Sequence, residues 1–197
     1  MSRAAKKLTR RLYARDAETV ARELLGKVLV HRIEGRTLRA RIVETEAYLG
    51  EHDLASHSSR GRTARTEIMF GQAGHAYVYF IYGMHEMFNV VTGAVGDAQA
   101  VLVRAAEPLD DWHANLSGPG RLARGMEITR SDNGLDLTGN KLYVITGSAE
   151  PIEIARSPRI GVDYAGDWKD ELLRFYDPIS PAVSKMRPAP IAKRPKK

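Results

Sequence analysis

Along much of the chain apolar and polar positions alternate with the period of two expected of strands. Residues 17–25 break that rhythm. Ala17, Val20, Ala21 and Leu24 fall on one face of a helix, Asp16 stands where an N-cap belongs, and Gly26 follows the last turn. Residues 27–33 are rich in β-formers, Glu34-Gly35 suits a tight turn, and 37–46 read as the returning strand. A second hairpin is predicted where 75–82 and 86–91 flank Gly83. Further strands are predicted over 98–104, 141–146, 152–155 and 172–176, with a short helix over 119–126. Strands joined mostly by turns, with few helices, argue an α+β fold on an antiparallel sheet rather than a doubly wound parallel one. They also remove the setting that a dinucleotide site needs.

The returning strand carries the first candidate chemistry. Leu38, Ala40 and Ile42 share one face, and Thr37, Arg39 and Arg41 share the other. The apolar face is the one to bury, and its parity continues into Glu44, Glu46 and Tyr48. Burial and a like-charged neighbour both raise a carboxyl pKa, so a carboxylate placed there is a candidate general base. The alternative is that a bulge or twist shifts the parity and both acids pair with arginines.

In the second hairpin Tyr77, Tyr79 and Ile81 share one face, Val78 and Phe80 the other, and Tyr82 lies at the turn. A tyrosine at a hairpin tip suits stacking on bases or wedging into a duplex; it could equally fold back on its own hairpin. Between the hairpins, residues 53–66 form a polar, basic loop. Its Ser56, His57, Ser58, Ser59, Arg60, Arg62, Thr63 and Arg65 suit phosphate contacts. The histidines show no zinc-like spacing, and no Walker loop or nucleophile elbow is present.

Composition narrows the class. The chain has 197 residues, 43% of them hydrophobic and 27% charged, and no cysteine. That fits one globular domain and excludes disulfides, Cys-ligated metals and a cysteine nucleophile. No apolar run approaches the roughly 20 residues of a membrane helix, and no apolar segment follows the basic start as in a signal peptide. Five basic residues lie in 1–11 and six in 185–197, with no acid in either; nineteen basic against twenty-four acidic residues lie between, so a body of −5 sits between two basic ends. Residues 1–11 are expected to be a flexible basic arm, 12–184 a single domain, and 185–197 a basic proline-rich tail. Basic arms point to a polyanion partner, commonly nucleic acid, unless they serve only solubility.

The motifs taken together resemble the alkyladenine (3-methyladenine) DNA glycosylases. They are R-I-V-E-T-E-A-Y-L-G (41–50), His57, M-F-G-x-x-G-H-A-Y-V-Y-F-I-Y-G-M (69–84), Asn89 and A-V-L-V-R-A-A-E-P-L (100–109). S-G-P-G-R-L (117–122), R-I-G-V (159–162) and L-R-F-Y (173–176) follow in order, so the resemblance spans roughly residues 10–185. It implies a single mixed domain around a curved antiparallel β-sheet, with a protruding β-hairpin and a few peripheral helices. It implies a monofunctional hydrolase of base excision repair that cuts the N-glycosidic bond of a damaged purine, alkylated or deaminated, flipped out of double-stranded DNA. No cofactor and no metal are expected. A monomer is expected, in the cytoplasm or, in a eukaryote, the nucleus.

By the same resemblance Glu46 activates water, and Arg104 and the backbone carbonyl of Ile160 hold that water. Tyr48, His57 and Tyr79 sandwich the base, Asn89 lines the pocket floor and disfavours the amine of guanine, and Tyr82 is the wedge. Arg60, Arg62, Arg65 and Arg121 are expected to contact the DNA backbone. No role carries over to Glu44. The chain departs from the family in reading Thr63-Ala64-Arg65-Thr66 where T-P-R-N is common, which loosens the loop. It also has His85-Glu86 after Met84, which sets an acid beside the phosphates. The competing readings are a non-catalytic nucleic-acid binding protein, needing Tyr82 but not Glu46, and a nucleosidase acting on free nucleosides, needing Glu46 but not Tyr82.

Overall fold

In the computed structural model, which describes residues 5–147 and 152–184, one curled antiparallel sheet organises the chain. Strands β1 (Val28–Ile33) and β2 (Arg36–Tyr48) form the first hairpin. Glu34 and Gly35 between them both have positive φ, the geometry that matches a two-residue turn to the twist of a hairpin. Strands β3 (Ala76–Ile81) and β4 (His85–Thr92) form the second hairpin, and β5 (Gln99–Pro108) joins it to β2. With β6 (Leu142–Ile145) on the far edge the order is β3-β4-β5-β2-β1-β6. The short strands β7 (Ala155–Ser157) and β8 (Arg174–Tyr176) pair with each other, and β8 also takes the edge of β2 beyond the stretch paired to β1. β7 replaces the strand expected over 152–155, only Ala155 being common to both.

Among the described residues, three α-helices flank the sheet: α1 (Arg10–Tyr13), α2 (Ala17–Leu24) and α3 (Pro119–Gly125). α2 is built as its pattern predicts. The Asp16 carboxylate accepts the Thr19 N–H at 2.8 Å, and Ala17, Val20, Ala21 and Leu24 are all buried. They pack with Leu29, Ile42, Val101, Val103, Leu122, Met126 and Phe175 into the main core.

Residues 5–11 differ from the expected flexible arm. Lys7 forms a bridge with Ile145, the Leu8 N–H donates to the Val144 carbonyl, and the Leu8 side chain is buried. The exposed edge of β6 supplies the reason, since its unpaired backbone groups accept another strand. Arg10 then bonds the Ala73 carbonyl and, at 2.6 Å, Asp136. The basic tail over 185–197 lies outside the described residues, as do residues 1–4.

Candidate active site

A bulge in β2 sets the site. The pairing of β2 with β5 slips between Ile42 and Thr45, so the parity of the strand changes there. Leu38, Ala40 and Ile42 face the main core, but beyond the slip it is Thr45 and Ala47 that do so; the Thr45 hydroxyl donates to the Ala21 carbonyl of α2. Glu44, Glu46 and Tyr48 therefore face the opposite side from the one their spacing predicts, and both acids meet arginines. They are buried all the same, because residues 152–184 and the loop after β2 cover that second face.

Glu46 is fully buried. Its Oε1 accepts the Ile160 N–H at 2.8 Å, and its Oε2 accepts the Tyr48 hydroxyl at 2.9 Å and lies 3.2 Å from Nη1 of Arg104. Ile160 thus reaches the site through its N–H. A carboxylate offers about four lone-pair positions, so two hydrogen bonds and the ion pair with Arg104 leave room for a further ligand. Burial, and then the charge of Glu46, holds the Tyr48 phenol well above its ordinary pKa, which keeps it a donor.

Two aromatic walls lie on this face. Tyr48 packs with Ala55, Val162, Ala165 and Trp168. Its ring carries the Arg159 guanidinium 4.8 Å from its centre. Across the site, His57, Tyr77 and Tyr79 form one cluster, with the His57 and Tyr79 rings edge to face at 4.5 Å and Arg65 over Tyr79 at 4.9 Å. His57 Nδ1 shares a 2.9 Å hydrogen bond with the Tyr77 hydroxyl. Burial, with Arg65 and Arg60 nearby, lowers the His57 pKa to about 4, so the imidazole is neutral at neutral pH. Asn89, opposite Tyr77 in the ladder, is buried, and its amide donates to the carbonyls of Tyr77 at 3.1 Å and Met87 at 3.3 Å. Both donors are committed to backbone, so the side chain cannot swing aside.

At the hairpin tip the Met84 N–H donates to the Ile81 carbonyl, and Tyr82 and Gly83 between them have φ of 54° and 66°. That is a type I′ turn, in which a bulky residue at the first central position is strained. Tyr82 is nevertheless 78% exposed, with Met84 beside it at 69%. Strain of this kind is kept where a surrounding structure or a function selects it.

Of the four arginines expected to meet a polyanion, Arg65 belongs to the aromatic cluster. Arg62 is held by Glu67 at 2.9 Å, Arg121 donates to the Ser117 carbonyl at 2.6 Å, and Arg60 is exposed at the end of a single helical turn. Both departures from the resembled pattern are compensated. The Thr66 hydroxyl accepts the Thr63 N–H at 2.9 Å and donates to the Gly61 carbonyl at 3.0 Å, closing the loop that lacks a proline. Glu86 pairs with Arg130, which also covers Phe80.

The structure adds residues to which no role is given by sequence. Glu44, fully buried, accepts from Arg104, Arg174 and Ser184. Asp53 and Arg159 form a buried bidentate pair at 2.5 and 2.9 Å behind Tyr48. Arg159 and Arg174 lie within the R-I-G-V and L-R-F-Y runs, so the signal was present without an assignment. Asp53 carried none.

Residues 11–181 match the family described as methylpurine-DNA glycosylase. Among curated proteins, the chain is 50% identical over 181 residues to a protein of Legionella pneumophila, covering 91% of this chain and 99% of that one. It is 52% identical over 179 residues to a protein of Myxococcus xanthus, covering 89% and 92%, and 48% identical over 198 residues to one of Methanocella arvoryzae, covering 93% and 98%. All three bear the name "Putative 3-methyladenine DNA glycosylase".

Proposed function

The chain belongs to the methylpurine-DNA glycosylase family, a family of DNA-repair hydrolases, and on that premise we propose that it releases damaged purines, alkylated or deaminated, from nucleotides turned out of duplex DNA. The observation that carries this reading is Glu46: a carboxylate at full burial, held by two hydrogen bonds and an ion pair with Arg104 and with room for one further ligand, beside aromatic walls.

A purine enters between Tyr48 and the His57–Tyr79 wall, where stacking holds it without regard to its exact substituents. The water sits at the remaining lone pair of Glu46. Cleavage passes through an oxocarbenium-like state, which a nearby carboxylate stabilises and a positioned water quenches. Glu46 takes the proton of that water, and Arg104 fixes the carboxylate as it does so. An alkylated cationic purine leaves as a neutral base and needs no acid, whereas a neutral deaminated purine must take a proton from water at a ring nitrogen as its bond breaks. No covalent intermediate and no second carboxylate are required. Arg60, Arg62, Arg65 and Arg121 are the backbone contacts of this reading, Arg62 exchanging Glu67 for phosphate.

Tyr82 fills the space that the flipped nucleotide vacates. Flipping costs a few kcal/mol, least where pairing is already weak. Tyr82→Ala is therefore expected to reduce single-turnover release from a fully paired duplex by roughly tenfold, while sparing release from a lesion placed opposite a gap. Equal losses on both substrates would make Tyr82 a purely structural residue.

Asn89 limits the base. Its pinned side chain occupies the room an exocyclic amine would need. In Asn89→Ala, excision of guanine from G·T mismatches should rise from background, with release of alkylated adenine retained. An unchanged guanine rate would remove Asn89 from the pocket floor.

The reading as a whole is tested by base release from duplexes each carrying one lesion, 3-methyladenine, 7-methylguanine or hypoxanthine. Release from none of them overturns it. Release from the free nucleosides at comparable rates would favour a nucleosidase.

A further inference from the structure

Glu44 is the second buried carboxylate of the site and the one to which the mechanism gives no task. It is the meeting point of four donors. Its Oε1 accepts from Nε of Arg104 at 3.0 Å, Nε of Arg174 at 2.7 Å and the Ser184 hydroxyl at 2.7 Å, and its Oε2 accepts the Ser184 N–H at 2.7 Å. Arg104 is shared: Nε goes to Glu44 and Nη1 to Glu46. Arg174 is itself fixed by the Ser157 hydroxyl at 3.0 Å and the Ser184 carbonyl at 3.1 Å. The result is a buried set of two carboxylates and two guanidinium groups that is neutral only when all four are charged.

We propose that Glu44 is a positioning residue for base release: by holding Arg104 from the Nε side, it sets how Arg104 meets Glu46 through Nη1, and so keeps Glu46 aligned with the water it activates. This rests on the reading of Glu46 as the base. A guanidinium presents its donors in a rigid planar fork, so fixing Nε on Glu44 fixes the direction from which Nη1 meets Glu46. Glu44 and Glu46 share a face by strand alternation, and the bulge at 42–45 turns that face away from the main core. Among the described residues, the charged and titratable groups around Glu46 are Glu44 and Tyr48 on β2, Arg104 on β5, Arg174 opposite Glu46 on β8, Arg159 in the loop between β7 and β8 and Tyr79 on β3. Among them Glu44 is the only other carboxylate.

The experiment is single-turnover release of 7-methylguanine from duplex DNA, with binding of the same duplex and the melting temperature followed alongside, for Glu44→Gln in the parent and in a chain already carrying Arg104→Gln. Glu44→Gln keeps the size and some of the hydrogen bonds but removes the charge that holds Nε of Arg104. In the parent, release falls by roughly tenfold while affinity for the duplex stays within a few-fold. In the Arg104→Gln background the same change lowers release by less than about twofold, because the link it acts through is gone. A merely structural residue costs as much in both backgrounds; that result overturns the proposal. If Glu44→Gln does not fold, Ser184→Ala, which removes a donor to Glu44 and an acceptor of Arg104, is measured in the same two backgrounds, and equal losses there overturn the proposal as surely. Glu46→Gln, run alongside, separates the two claims: if it still releases base, the reading of Glu46 has failed and the test of Glu44 has not been the cause.

Discussion

Glu46→Gln retains binding to lesion-containing duplex and loses base release by roughly a hundredfold or more, the scale expected when a general base is removed. Glutamine has the shape of glutamate, and its carbonyl still accepts the Ile160 N–H. Arg104 keeps its bond to Glu44 through Nε, so removing the second carboxylate does not leave that guanidinium without a partner. The fold and the stacking walls therefore survive, and affinity for the damaged duplex stays within a few-fold of the parent. What disappears is the acceptor for the proton of water and the negative charge facing the oxocarbenium ion. Single-turnover rates at saturating enzyme, set against binding isotherms for the same duplex, read both quantities. A mutant that cleaves near the parental rate would falsify the assignment of Glu46 as base.

Why Glu46 could be singled out, and why its surroundings could not, follows from which interactions are local. The first hairpin, the second hairpin and α2 are set by turn residues and caps within a few positions of each other: Glu34-Gly35, Tyr82-Gly83 and Asp16 with Thr19. Their patterns are legible. The bulge at 42–45 is not, because an alternating run gives no sign of one extra residue, and a single extra residue inverts every side chain beyond it. Parity therefore directed attention to Glu44 and Glu46 while assigning them the wrong face. Their burial comes instead from a segment more than a hundred positions away, with Ile160 and Ser184 donating across 114 and 140 residues of chain. No local periodicity encodes that.

The same holds at the chain's beginning. Residues 5–11 look like a solubilising arm because their charge is all of one sign, yet Leu8 and the open edge of β6 decide their placement. The aromatic wall formed by Tyr77 and Tyr79 was readable from strand alternation. The cation behind Tyr48 was not, since Arg159 reaches that ring and Asp53 across about a hundred residues.

That cation supports the other large expected effect. Asp53 accepts four hydrogen bonds: two from Arg159, and the Leu49 and Ala55 N–H groups at 3.0 Å each. Arg159 in turn donates to the carbonyls of Ala47 at 2.9 Å and Trp168 at 3.3 Å, and the following residue supplies the N–H that holds Glu46. One ion pair thus braces the Tyr48 wall and the base together. Asp53→Ala leaves a guanidinium buried without its counter-charge and two backbone donors without acceptors, and should cost about 3–5 kcal/mol of stability. Arg159→Ala leaves the carboxylate uncompensated and should cost a similar amount. The double variant Asp53→Ala with Arg159→Ala removes both charges. It should be clearly less destabilised than the sum of the singles, because most of each single loss is the isolated charge and not the attraction between the two. Denaturant melts of the three variants give the coupling directly, and additive losses would mean that the pair is not coupled. The catalytic consequence is separable from stability. Below the melting range of all three, release should remain impaired in the double variant, because the Tyr48 ring has lost its backing and Ile160 its anchor, whatever stability has been recovered.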